Sequence, residues 1–271
     1  MQNEANLHEK LKILSYNVRL FNKYNWVKDE NTDKNIFHFI NIEDPDIICL
    51  QEFYSQRAGE LTELNIKEEL KKYKFSHIYY IVTSADGEKY GIATFSKYPI
   101  IRKELIRFEK TANLTIFSDI LYKSDTIRVY NNHLQSVRLK KKYELLLKFN
   151  LKDQEQIDEF KDIYSRLKLA FIRRAGQVDL ISKNIKNTRL PVIICGDFND
   201  TPMSYTFKKM KGKNKDAFVE SGIGFGNTYI GKFPSFRIDY IFYDNAFESY
   251  NFRTQRVKYS DHYPVSCYLD F

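Results

Sequence analysis

The chain has 271 residues with 43 basic against 35 acidic side chains, a net charge of +8. That length admits one large domain or two small ones, and a hydrophobic content of 43% suffices for a sizeable core. No run approaches the ~18 consecutive apolar residues of a membrane span, no signal-peptide pattern opens the chain, and three cysteines without Cys-x-x-Cys spacing speak against a disulfide framework or a zinc site. Cys49, Cys195 and Cys267 sit in apolar, strand-like runs and read as reduced core thiols. The 21 Phe and 20 Tyr favour sheet-rich packing. The basic excess fits an ordinary solvated surface and equally one that attracts polyanions, nucleic acid or phospholipid headgroups among them.

The polar opening, residues 1–10, leads into a strand over 11–18 that turns apolar before Asn17. A short helix carries Ile36, Phe39 and Ile40 and stops before Pro45, because the residue preceding a proline is pushed out of the helical region. Asp46 to Leu50 form a buried strand that delivers Glu52 just beyond its end. Leu61, Leu64, Leu70 and Tyr73 mark a helix within 58–74. From Tyr79 onward, short β-branched and aromatic runs alternate with turn signals, the pattern of antiparallel strands. The stretch 137–186 carries two apolar stripes at helical spacing, Ile157/Phe160/Tyr164/Leu167 and Phe171/Ala175/Val178/Ile181/Ile185, predicting one or two amphipathic helices. The basic run 138–142 (RLKKK) follows a strand and could touch an anion. "LPVIICGDFND" is a buried strand ending at a glycine, residues 217–236 read as loop, and "FRIDYIFY" and "YPVSCYLDF" close the chain as strands. Within 217–236, "GIGFG" lacks the strand-before, helix-after context of a nucleotide-binding loop and reads as a tight or mobile turn. With no repeat and no linker-like shift in composition, residues 11–271 are expected to form one domain.

Acid, amide and imidazole side chains recur where the apolar runs end: Asn17, Glu52, His133, Asp197, Asn199, Asp239, Asp261 and His262. Cutting a phosphodiester needs charge on the phosphate neutralised, a water deprotonated and aimed, and the leaving oxygen stabilised. Magnesium suits the first and last tasks and needs one or two carboxylates, for which Glu52 is a natural ligand. Asp197 and Asn199 are two apart, so an extended segment would point both side chains the same way. A buried carboxylate can hold a histidine in one tautomer and stabilise its charged form.

Asn17, Glu52, "YGIATFSKYPI", "NNHL", "GDFND", "RIDYIF" and "SDHYPV" occur in the order seen in the endonuclease/exonuclease/phosphatase superfamily, which the chain resembles from about residue 11 to 270. The resemblance implies an α/β fold, a four-layer α/β/β/α sandwich of two mixed, mostly antiparallel sheets with outer helices. It implies a magnesium site, with manganese able to substitute, in which Glu52 binds the metal and Asn17 and Asp261 help. Asp197 and Asn199 would activate and position the water. His262, supported by Asp239, would contact the scissile phosphate, and His133 would bind phosphate or protonate the leaving oxygen. Arg19, Asn199 and His262 are the expected phosphate contacts. Abasic-site endonucleases of this superfamily carry an acid where this chain has Arg19 and a tyrosine-type residue where it has His133. "SYNVRLF" with "NHL" is nearer the pancreatic-type deoxyribonuclease and bacterial branches. The implied activity is phosphodiester or phosphomonoester hydrolysis, first of all by a nuclease. A phospholipid, inositol-phosphate or sphingomyelin hydrolase is the alternative, although no secretion signal or exposed apolar hairpin is evident in the sequence. A non-catalytic module would be expected to lose part of this residue set. A monomer is expected. A cytoplasmic location is favoured, with the soluble domain of a longer membrane-attached protein as the alternative.

Overall fold

The computed structural model describes residues 7, 9–109, 111–137, 154–230 and 236–271. The basic run 138–142 therefore lies outside the described residues, as does most of the polar opening.

Among the described residues, twelve strands form two six-stranded sheets. The first has the order β11(Glu248–Thr254), β12(Val265–Asp270), β1(Leu11–Asn17), β2(Ile47–Ser55), β4(Lys89–Ser96), β3(Phe75–Thr83). The second runs β5(Ile100–Arg107), β6(Leu114–Tyr122), β7(Asp125–His133), β8(Val192–Asp197), β10(Asp239–Tyr243), β9(Lys215–Asp216). Each sheet holds a single parallel pair, β1/β2 in one and β7/β8 in the other, and every other pairing is antiparallel. Parallel neighbours need a crossover, and a helix supplies one here: α1(Thr32–Glu43) between β1 and β2, α3(Gln154–Lys186) between β7 and β8.

Three apolar layers hold the sandwich together. Leu11, Ile13, Ile47, Val129, Ile193, Ile241 and all three cysteines fill the space between the sheets, where the thiols are free and buried. Ile36, Phe37 and Ile40 of α1 and Ile66 of α2(Glu63–Glu69) pack on the outer face of the first sheet. Val178 and Ile181 of α3, with Met210 of α4(Tyr205–Lys211), cover the second. The four-layer α/β/β/α arrangement follows.

Several local expectations need correcting. Glu52 does not stand beyond its strand; β2 runs on to Ser55 and contains it. The stretch 217–236 is not all loop, because α5(Ala217–Ser221) opens it, with the Asp216 side chain accepting from Phe218 N at 3.1 Å as its N-cap. Five residues are too few to reveal a helical period. Only the second apolar stripe of α3 marks its inner face: Val178 and Ile181 are buried beside Ile163, Ala170, Arg174 and Gln177, whereas Phe160 and Tyr164 of the first stripe, and Phe171, are exposed. Two of those inward residues are polar, which is why a hydrophobic count rotated the helix.

Candidate active site

Strand register assembles half of the cleft. In the parallel β7/β8 pair His133 lies opposite Asp197, and in the antiparallel β8/β10 pair Asp239 lies opposite Asp197. Three neighbouring strand ends thus bring His133, Asp197 and Asp239 side by side. Gly196 makes the approach possible: its φ is +136°, and a Cβ there would lie 2.0 Å from the Asn132 carbonyl oxygen. Past Asp197 the chain is not extended, contrary to the expectation from the two-residue spacing. Asn199 is left-handed at φ 52°, a conformation that Asn tolerates better than most residues. Its backbone N–H donates to Asp197 Oδ1 at 2.8 Å, and its Nδ2 donates to Asp197 Oδ2 and to the Leu134 carbonyl, each at 3.0 Å.

The first sheet supplies the opposite wall. The register of β2 against β4 shifts between Leu50 and Phe53, a bulge whose second residue is Glu52 at φ 49°. The bulge re-aims the carboxylate toward the end of β1. There Asn17 Nδ2 donates to Glu52 Oε1 at 3.3 Å and, across the two sheets, to Asp197 Oδ2 at 3.0 Å. The site therefore sits at the carboxyl ends of both parallel pairs, where open α/β sheets commonly hold ligands.

His262 comes from the loop before β12. Its Nδ1 lies 3.0 Å from Asp239 Oδ2, its Nε2 lies 3.8 Å from Asp197 Oδ2, and its ring meets Tyr229 edge-on at 5.3 Å between centroids. Ser260 ties this loop to β1 by donating to the Asn17 carbonyl at 2.8 Å, and Thr228 Oγ1 accepts from Asp239 N at 3.1 Å. His133 Nε2 stands 3.7 Å from Glu52 and 4.0 Å from Asp197. Asp261 is paired with Arg19 Nη1 at 2.9 Å.

The electrostatics divide this cleft in two. Burial depresses the His262 imidazolium, but Asp239 and Asp197 outweigh it and hold its pKa well above the usual value. Burial pushes Asp197 up to about 6, with His262 opposing the rise and Asp239 adding to it. Asp197, Asp239 and His262 offer ligand atoms within 4.8 Å of one another, yet a protonated imidazole cannot ligate, so this trio is suited to holding and moving protons. On the other side, burial and the neighbouring charge of Asp261 both raise the pKa of Glu52. His262 and Arg19 offset that rise only in part, and the Glu52 oxygens are donors of the kind a hard divalent cation takes. Glu52 and Asp261 are the acids that could hold a metal on this side, Asp261 being also paired with Arg19, while Asn17 Oδ1 already accepts from Arg19 N at 3.0 Å.

All nine sequence-predicted residues meet around this one cleft, Arg19 through its pair with Asp261. Sequence reasoning missed Ser260, Thr228, Gln135, Arg174 and Gln177, which act on the site through others. Only the position of Ser260, directly before Asp261-His262, could have flagged one of them.

Two mixed sheets under outer helices, with acids, amides and imidazoles gathered at one shared edge, define a phosphohydrolase-type α/β sandwich. A family model, the Endonuclease/Exonuclease/phosphatase family, matches residues 14–262, and the chain belongs to that family. No curated protein sequence matches. Among solved structures, the endonuclease/exonuclease/phosphatase from Beutenbergia cavernae DSM 12333 superposes with a TM-score of 0.69 at 16% identity, over 96% of this chain and 71% of that one. A D. rerio TDP2 humanized by 14 mutations gives 0.67 at 16% identity, over 97% and 99%. The human Nocturnin catalytic domain with bound sulfate gives 0.67 at 18% identity, over 97% and 94%. The chain is a hydrolase acting on phosphoric ester bonds, in a family that generally depends on a divalent metal.

Proposed function

We propose that the protein is a magnesium-dependent nuclease that cleaves phosphodiesters by in-line attack of water. One observation carries the reading: Asp197 receives N–H groups from Asn17 and Asn199 and faces the His262–Asp239 pair within 4 Å. Asp197, with its raised proton affinity, takes the proton of the attacking water, and Asn199 fixes the carboxylate that does so. His262, kept charged by Asp239, contacts the phosphate, and His133, 4.0 Å from Asp197, gives a proton to the leaving oxygen. Glu52 and Asp261 would hold the cation, whose contribution is to neutralise phosphate charge and stabilise the leaving oxygen. The net charge of +8 favours a polyanionic substrate. The test is cleavage of plasmid DNA and RNA with magnesium or manganese, stopped by EDTA. If neither polymer is cut with any divalent metal, the nuclease reading fails.

A second reading, a phospholipid phosphohydrolase, draws on one observation. Ile223 and Phe225 are 95% and 91% exposed in the Gly222–Gly226 turn, and Thr228 and Tyr229 follow directly into the site. A large apolar pair at a loop tip is a feature of surfaces that meet lipid. Turnover of sphingomyelin or phosphoinositide vesicles, lost in Ile223→Ser/Phe225→Ser, would favour this reading over the first.

A further inference from the structure

The loop after β1 presents the chain's only tryptophan to solvent. Trp26 is 41% exposed and Tyr24 54%, and their rings meet edge to face with centroids 5.2 Å apart. Solvent-facing aromatics of this size are commonly found where a partner covers them. These two are held in place from several sides. Four successive non-glycine residues, Arg19, Leu20, Phe21 and Asn22, have φ between 43° and 60°, a conformation L-residues avoid unless their surroundings impose it. The buried Asn22 side chain imposes it from below, donating to the Val27 carbonyl at 2.8 Å and accepting from Val27 N at 2.9 Å. Phe21 anchors the turn against Phe37 and Phe53. Lys23 is paired with Glu88, donates to Tyr90 OH at 3.1 Å and lies 4.6 Å above the Tyr54 ring, and Tyr24 OH lies 3.4 Å from Tyr90 OH.

This rim is also one side chain from the cleft. The Arg19 guanidinium lies 4.2 Å from the centre of the Trp26 ring while its Nη1 reaches Asp261 at 2.9 Å. An aromatic pair flanked by a cation that also borders the phosphate side of the cleft matches a nucleotide, which offers a flat π-face beside an anion. Every base has such a face, but only an unpaired one can leave its stack to meet these rings.

We propose that Tyr24 and Trp26 form a stacking subsite for an unpaired nucleobase flanking the scissile phosphate, making single-stranded nucleic acid the preferred substrate. This rests on the nuclease reading. Because Trp26 is the sole tryptophan, its fluorescence reports the contact directly. With EDTA present to prevent turnover, a single-stranded oligonucleotide is expected to quench that emission saturably, and a duplex of the same sequence to quench it less. In steady-state cleavage with magnesium, Tyr24→Leu and Trp26→Leu should raise KM for the single strand about five- to a hundred-fold, the scale of losing one base stack. The effect should fall on KM rather than kcat, and Trp26→Phe should recover most of it. If oligonucleotides are cleaved while Trp26 emission stays unmoved, or KM is unchanged in both leucine variants, the stacking subsite is wrong and the nuclease reading stands. If no oligonucleotide is cleaved with magnesium or manganese, the nuclease reading fails and the subsite falls with it. Quenching by inositol phosphates or lipid vesicles but not by oligonucleotides would likewise overturn it.

Discussion

Arg174 Nε donates to Asp200 Oδ2 at 3.0 Å, a charged pair buried between α3 and the loop that follows β8. The same guanidinium donates from Nη1 to the Gln135 carbonyl at 2.7 Å, and Gln135 N in turn donates to Gln177 Oε1 at 3.0 Å. Two side chains of one helix thus grip both the segment leaving His133 and the segment leaving Asn199. The separation of those two catalytic loops is set by a helix that contributes nothing to the chemistry directly.

Arg174→Gln should therefore act twice. Leaving Asp200 as an unpaired buried charge is expected to lower stability by about 3–5 kcal/mol in urea denaturation. Adding Asp200→Asn should return part of that loss, since the uncompensated charge is then gone. The positioning role is read separately: kcat should fall more than KM rises, and Arg174→Lys, which keeps the charge but not the fork, should recover stability better than kcat.

The charges of Asp239 and Asp197 help to keep a proton on His262. Asp239→Asn should lower the His262 pKa, so the alkaline limb of the kcat/KM profile is expected to move to lower pH. The acid limb of the wild type should fall near pH 6, where Asp197 gains its proton and ceases to be a base. Asp197→Ala or His262→Ala should cost roughly 10²–10⁴-fold in turnover. An acid limb unmoved in position and shape by Asp197→Glu would count against Asp197 as the base.

Replacing Glu52 tests the metal separately from the chemistry. A cation that binds only the folded state stabilises it by about 2.7 kcal/mol at a hundred times its dissociation constant. Magnesium should therefore raise the melting temperature of the wild type, and EDTA should reverse the rise. Glu52→Gln keeps the shape but removes the charge, so the magnesium-dependent shift should largely vanish along with activity. An undiminished shift in this variant would move the metal elsewhere in the cleft.

The fold was legible because most of its strands announce themselves as short apolar runs, and the site because its acids, amides and imidazoles close those runs. What stayed hidden depends on which way a side chain turns. Arg174 and Gln177 look like solvent-facing polar residues until their partners across α3 are known, and Phe160 and Tyr164 look like core until they are found exposed. The Glu52 bulge was invisible because a register shift of one residue leaves no mark on hydrophobic alternation. β11, with its weak alternation ESYNFRT, is a strand chiefly because β12 pairs with it. That is tertiary context overriding local preference.

His77 supplies a pH test of the sandwich itself, away from the cleft. It is buried on β3, its Nδ1 lying 3.0 Å from Ser118 Oγ on the opposing sheet. Burial, assisted by the Lys103 charge, lowers its pKa from 6.5 to about 4, so the folded protein holds the neutral ring. The unfolded chain binds the proton more readily, and stability must therefore fall with pH. The contribution is intact above pH 6.5, is lost progressively between 6.5 and about 4, and amounts to about 3 kcal/mol across that window at about 1.4 kcal/mol per unit. Urea denaturation of wild type and His77→Gln at pH 7.5, 5.5 and 4.5 isolates the effect, because other groups titrate alike in both proteins. The variant should be the less stable at pH 7.5 and should close the gap as the pH falls; a gap that stays constant would mean that His77 does not titrate out of register with the unfolded chain.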